Sequence, residues 1–209
     1  MSEGRTLVLL RHGRTAWNHA LRVQGQIDVD LDDEGRAQAA RVAPVLAALE
    51  PTLIWCSDLQ RTRETVAPLA AATGLPVTYD RRLREVHLGE REGLTHAEYA
   101  VLAPEEFAQF RHGVYDVAPG AETTAQLRER TVAAMRDLLA ALAPGETGVA
   151  VSHGGAIRVA VGALLGWPDD VFHSLRGLAN TGWVVLAEDT HGGRLRLQAY
   201  NRTAADHAP

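Results

Sequence analysis

Residues 6–13, TLVLLRHG, hold an unbroken apolar run that ends in a charged pair and a glycine. A short run without polar alternation reads as a strand buried on both faces, so Arg11 and His12 emerge at its carboxyl end on a rigid support. Residues 147–155, TGVAVSHGG, repeat the arrangement, with His153 leaving the strand as His12 does. Two histidines released from two buried strands can meet, and ligands usually bind beyond the carboxyl ends of parallel strands.

Working outward, helices fill the intervals. DEGRAQAARVAPVLAALE (33–50) places Ala37, Ala40, Val42, Val45, Leu46 and Leu49 at near-helical spacing, with Pro44 expected to kink or interrupt the helix. TLIWC (52–56) reads as a second strand, QRTRETVAPLAAATG (60–74) as a helix closed by Gly74, and PVTYD (76–80) as a short strand. Residues 81–122 lose periodicity, apart from a short helix at PEEFAQF (104–110), and look like an insertion lying over a site. A long helix from about 124 to 142, a strand at 147–152 and the helix GGAIRVAVGALLG follow. GWVVLAE and RLRLQAYN then read as two closing strands separated by a turn at DTHGG (189–193). Strands alternating with helices predict an α/β layer fold, a mainly parallel sheet with helices on both faces.

Composition narrows the chemistry. The 209 residues suit one domain, 1–209, and a 46% hydrophobic, 22% charged chain fits an ordinary folded protein. A net charge of −5 argues against a nucleic-acid partner. Because no apolar run suits a membrane span or signal peptide, a cytoplasmic location is expected. Cys56, the single cysteine, sits in apolar LIWCS and reads as a buried structural thiol. All 21 basic side chains are arginine, which excludes lysine Schiff-base chemistry and favours fork-shaped phosphate binding. His-Glu-x-x-His, Gly-x-Gly-x-x-Gly and the phosphate loop of nucleotide hydrolases are absent, and arginines beside the histidines repel a cation, so no metal or cofactor is expected.

Arg-His-Gly recurs at 111–113, whereas composition alone predicts about 0.08 copies. That second copy follows a short helix instead of a buried strand, so it reads as a solvated helix end stopped by Gly113. SDLQRTRET adds Arg61 and Arg63, with Arg61 early in a helix that can face the histidines. Glu85, in RLREVHLGEREGLTHAE, is the acid singled out; by composition Glu90, Glu92 and Glu98 are equal candidates.

LLRHGRTAWN, SDLQRTRET, LREVHLGEREG and VSHGG, in that order, resemble the histidine phosphatase superfamily, the phosphoglycerate mutase-like proteins, over nearly the whole chain. The resemblance implies a three-layer α/β/α sandwich, His12 as the nucleophile that becomes a phosphohistidine, and Arg11, Arg61 and His153 holding the phosphoryl oxygens. It further implies Glu85 as proton donor, and Asn18, Gln24, Gly25 and Gly154 as substrate contacts. Cationic neighbours are expected to keep His12 neutral. RVQGQIDVDLDDEG and RLREVHLGEREGLTHAEYA resemble most the branch that dephosphorylates a glucosylated phosphoglycerate. The substrate implied is a small phosphorylated metabolite, with residues 87–122 as the covering specificity segment and a homodimer as the assembly. A cofactor-dependent mutase, a broad-specificity or sugar phosphatase, and an inactive phosphate-binding relative are the alternatives; ERHYGxLxGLNK of the mutases contrasts with EVHLGEREGLTH here.

Overall fold

Leu7 and Leu9 face one side of β1 (Thr6–Arg11) and Val8 and Leu10 the other, and all four are fully buried. The unalternating run therefore makes a central strand. The computed structural model describes residues 4–189 and 193–207. In chain order β1 is followed by α1 (Ala16–His19), α2 (Asp33–Ala47), β2 (Leu53–Cys56), α3 (Gln60–Thr73) and β3 (Val77–Tyr79). Two 3₁₀ turns, Arg81–Leu83 and Gly89–Arg91, lead to α4 (His96–Leu102), α5 (Pro104–His112) and α6 (Thr124–Ala141). The chain ends through β4 (Thr147–Ser152), α7 (Gly154–Leu164), α8 (Asp169–Phe172), β5 (Trp183–Glu188), β6 (Leu195–Arg202) and a 3₁₀ turn, Ala204–His207.

The six strands form one sheet in the order β3-β2-β4-β1-β5-β6. β3, β2, β4 and β1 are parallel, and β5 and β6 close the far side as an antiparallel pair. On one face Leu7 and Leu9 pack with Met135 and Leu138 of α6 and Ile157 and Ala160 of α7. On the other, Val8 and Leu10 pack with Val42 and Leu46 of α2 and Val66 and Leu69 of α3. Each such valine, leucine, isoleucine or methionine side chain contributes about 1.5–3 kcal/mol by leaving water. The result is the three-layer α/β/α sandwich with a mainly parallel sheet that the sequence leads one to expect.

A third cluster lies beyond the sheet. Leu88, Tyr99 and Tyr115 pack with Ala156 and Val159 of α7 and Phe172 of α8, backed by Phe107 and Phe110. It fastens residues 87–122 over the carboxyl end of β1 and β4.

Two local expectations change. α2 runs through Pro44 to Ala47 without interruption. The missing proline donor falls in the last turn and leaves the carbonyl of Ala40, and both residues lie on the exposed side, where water can take the bond. The aperiodic stretch 81–122 also contains α4 as well as α5. The turn expected at 189–193 falls on residues 190–192, outside those described.

Candidate active site

Pairing of β1 with β4 aligns Arg11 with Ser152, so His12 and His153 leave the sheet side by side. The His12 amide donates to the Ser152 carbonyl at 3.1 Å, and the two rings stand with centroids 5.2 Å apart. The loop after His12 presses on the start of α2. A Cβ on Gly13 would lie 2.6 Å from the Gly35 oxygen, and one on Gly35 only 1.9 Å from the Arg14 oxygen. Both positions must be glycine for this close approach. Asp32 caps α2 by accepting from Gly35 N at 2.7 Å and holds Arg14 at 2.8 Å, which fixes the loop from the far side.

Hydrogen bonds set the tautomers. His12 Nδ1 lies 2.7 Å from the carbonyl oxygen of Gly13, which can only accept, so the proton is on Nδ1 and Nε2 keeps its lone pair. His153 Nδ1 accepts from Arg61 Nε at 3.2 Å, which leaves its proton on Nε2, 2.9 Å from Ser57 Oγ. Both rings are neutral. His12 is held well below the ordinary imidazole value, first by burial and then by Arg61 and Arg11; His153 is held down in the same way, by burial ahead of Arg61. The cations that the sequence points to thus come second to desolvation.

Arg61 is wholly buried, and α3 carries it into the site from its first turn. Nη2 donates to the Gly25 oxygen at 2.7 Å and Nη1 to the Ile27 oxygen at 2.9 Å. Burial pushes this guanidinium down to about 10, so it stays charged at neutral pH. Arg11 donates through Nη1 to the Leu178 oxygen, while its Nε is buried without a hydrogen-bond partner. Among the described residues neither arginine has a carboxylate at ion-pair distance. Uncompensated buried charge is costly, so two such groups facing one cavity are built to meet an anion.

That cavity has a volume of about 300 Å³ and is lined by Arg11, His12, Gln24, Gly25, Arg61, Glu85 and Gly154, among others. Gln24 accepts from Thr15 Oγ1 at 3.0 Å, and Gly25, at φ 51°, leaves no room for a side chain because a Cβ would lie 1.9 Å from Glu92 Oε1. Glu85 Oε2 accepts from Gly155 N at 3.0 Å, and Oε1 from Ala156 N at 2.9 Å and Val86 N at 3.0 Å. The first turn of α7 thereby holds the carboxyl at the cavity wall.

The other glutamates separate by position. Glu92 braces the neighbouring loop by accepting from Leu88 N and Gln26 N, each at 2.9 Å; Glu98 closes the capping box of α4 with Thr95, and Glu90 is exposed. Arg63 points away, onto the Tyr79 ring. Asn18 does not line the cavity. Its Oδ1 accepts from Thr15 N at 3.1 Å and Asn180 Nδ2 at 3.2 Å, and that same Nδ2 donates to the His12 carbonyl, so Asn18 braces the His12 loop from behind. As N3 of the one-turn helix α1, its side chain turns back to cap that helix.

The second tripeptide ends α5 as expected, with Gly113 in the left-handed region, but Arg111 also reaches the cavity. The structure adds Ser57 as a partner of His153, and Tyr115, Arg22 and Arg158 as lining residues. Arg158 carried a signal: it is the one charge in apolar GGAIRVAVGALLG, four residues after Gly154 and so on the same helical face. Cys56 is buried, with its thiol pushed up by desolvation. Among the described residues no group of three or more His, Cys, Asp or Glu could hold a metal ion, and no helix is long and apolar enough to cross a membrane.

Known proteins resemble the chain over nearly its full length. The chain is 38% identical over 215 residues to glucosyl-3-phosphoglycerate phosphatase of Mycolicibacterium vanbaalenii, with 96% of each chain covered. It is 37% identical to the Mycobacterium tuberculosis enzyme of that name, again over 96% of both. A mycobacterial glucosyl-3-phosphoglycerate phosphatase solved with VO3 superposes with a TM-score of 0.89 at 38% identity, covering 95% of this chain and 100% of that one. More distant is a metal-independent phosphoserine phosphatase of Arabidopsis thaliana, 36% identical over 75% of this chain and 67% of that one. The model of the histidine phosphatase superfamily (branch 1) matches residues 7–203, and the chain belongs to that superfamily.

Proposed function

We propose that the protein hydrolyses a phosphomonoester through a phosphohistidine, with glucosyl-3-phosphoglycerate as the substrate. The observation that carries the reaction is the tautomer of His12: Nδ1 is tied to Gly13, and the Nε2 lone pair faces a cavity walled by two buried arginines. Nε2 attacks phosphorus in line, forming the N–P bond as the P–O bond to the leaving alcohol breaks. Arg11 and Arg61 stabilise the charge spread over the equatorial oxygens, the main source of catalysis in phosphoryl transfer. Glu85 gives its proton to the departing oxygen. In the second half, water attacks phosphorus, Glu85 takes its proton, and the N–P bond breaks to release phosphate and His12.

The choice of substrate is supported by the relatives of that name at 37–38% identity across nearly the full chain. A cytoplasmic location and a homodimer belong to the same reading; light scattering of the purified chain tests the dimer. A panel of phosphomonoesters containing glucosyl-3-phosphoglycerate, phosphoserine and p-nitrophenyl phosphate, assayed with and without EDTA, tests the whole. Highest kcat/KM on the glucosylated acid, unchanged by the chelator, is expected. Preference for another ester overturns the substrate, and loss of all turnover in EDTA overturns the mechanism.

A further inference from the structure

Three arginines that line the cavity, Arg22, Arg111 and Arg158, are not used by the phosphoryl site, and Arg158 is the most deeply buried of them. Arg158 lies on α7 four residues beyond Gly154, lines the cavity and is only 8% exposed. Its Nη2 donates to the His112 carbonyl at 2.9 Å, and its Nε is buried without a hydrogen-bond partner. The second Arg-His-Gly makes room for it: a Cβ on Gly113, at φ 94°, would lie 1.4 Å from Arg158 Nη2. Arg111, from that same tripeptide, lines the cavity with Phe110 and Tyr115. Arg158, Tyr115 and Glu85 line the same cavity, where burial pushes the Tyr115 hydroxyl up.

Nearby arginines are paired: Arg91 of the covering segment holds Glu106 at 2.7 Å, and Arg130 of α6 holds Glu122 at 2.5 Å. Among the described residues Arg158 and Arg111 have no carboxylate at ion-pair distance. A guanidinium buried this deeply, with Nη2 on a carbonyl and Nε without a partner, keeps donor capacity and an unpaired charge for an anion. The phosphoryl group is already met by Arg11 and Arg61, so the anion belongs to another part of the substrate.

We propose that Arg158, assisted by Arg111, is a second anion subsite that takes the carboxylate of a phosphorylated carboxylic acid. This rests on the phosphatase reading above and explains why the tripeptide at 111–113 lies against the cavity: its carbonyl and its missing side chain position Arg158, and its arginine adds charge at the rim.

The test compares kcat/KM for glucosyl-3-phosphoglycerate with that for its carboxyl methyl ester, beside p-nitrophenyl phosphate. Wild type prefers the acid, and Arg158→Met lowers the acid-to-ester ratio by about tenfold to a hundredfold, the loss expected when a buried charged hydrogen bond goes unmade. Arg111→Gln, at an exposed position that cannot disturb the core, lowers the ratio in the same direction by about threefold to tenfold. Equal losses on acid and ester in these variants would assign Arg158 to holding α5 on α7 and overturn the subsite. A wild type that cleaves p-nitrophenyl phosphate without preferring acid over ester overturns the subsite alone. A wild type inert toward all three overturns the hydrolase reading beneath it.

Discussion

At His12 a single carbonyl oxygen gives the two ring nitrogens different tasks, and burial keeps the ring neutral so that Nε2 can attack. The sign of the stability effect follows. In the folded chain His12 and His153 titrate well below 6.5, whereas the unfolded chain takes up these protons near 6.5. As pH falls through that value the unfolded chain binds more protons, so the stability present above 6.5 is progressively lost below it. The urea midpoint should therefore fall between about pH 7 and about pH 5, and fall less in His12→Asn; parallel declines would show that the ring is not held neutral. Glu85 gives a second residue-level prediction. Its replacement by alanine should cost about 10² to 10⁴ in kcat on alkyl phosphates and much less on aryl phosphates, whose leaving groups depart without a proton. Equal losses on the two would remove it from the proton-donor role.

Among the elements, the His12 loop and α2 meet backbone to backbone, where no flexible side chain can give way. Gly35→Ala puts a Cβ 1.9 Å from a backbone oxygen, so it should cost about 1–3 kcal/mol and displace the nucleophile's loop, lowering kcat as well. Gly74, at φ 71° with open space around it, is the contrast: alanine there should cost about 1 kcal/mol and leave kcat alone. Denaturant melts with parallel assays separate the two. The strands and long helices were legible because hydrophobic runs carry them. α4 was not, although Thr95 and Glu98 spell a capping box; its seven residues are too few for periodicity, and only the packing of Tyr99 reveals its buried side. Pro44 misled for the opposite reason: a local rule was overridden by its place in an exposed last turn. Of the site, His12, Arg11, Arg61, Glu85, Gln24, Gly25 and Gly154 come together around one cavity, and His153 packs against His12 and Arg61. Asn18 looked equivalent in sequence, yet capping turns its side chain behind His12. Arg158 was recoverable from helical spacing, and Tyr115 was not, since nothing in VYD announces a buried phenol.

Across the whole molecule, β1 and the first turn of α3 deliver Arg11 and Arg61 to one end of the sheet, while the chain as a whole is net acidic. An oxyanion that occupies the site should stabilise the fold by mass action, about 2.7 kcal/mol at a hundred times its Kd. Vanadate should raise the Tm of wild type and raise it far less in Arg61→Gln; equal shifts would place the ion elsewhere. The proposed reaction turns on covalent transfer to His12. The direct measurement is mass spectrometry of peptides from enzyme quenched in alkali during turnover of p-nitrophenyl phosphate. It should find a phosphoryl group on the His12 peptide, stable in alkali, lost in acid and absent from His12→Asn. Steady turnover with no phosphoryl group on His12, or undiminished turnover by His12→Asn, would contradict it.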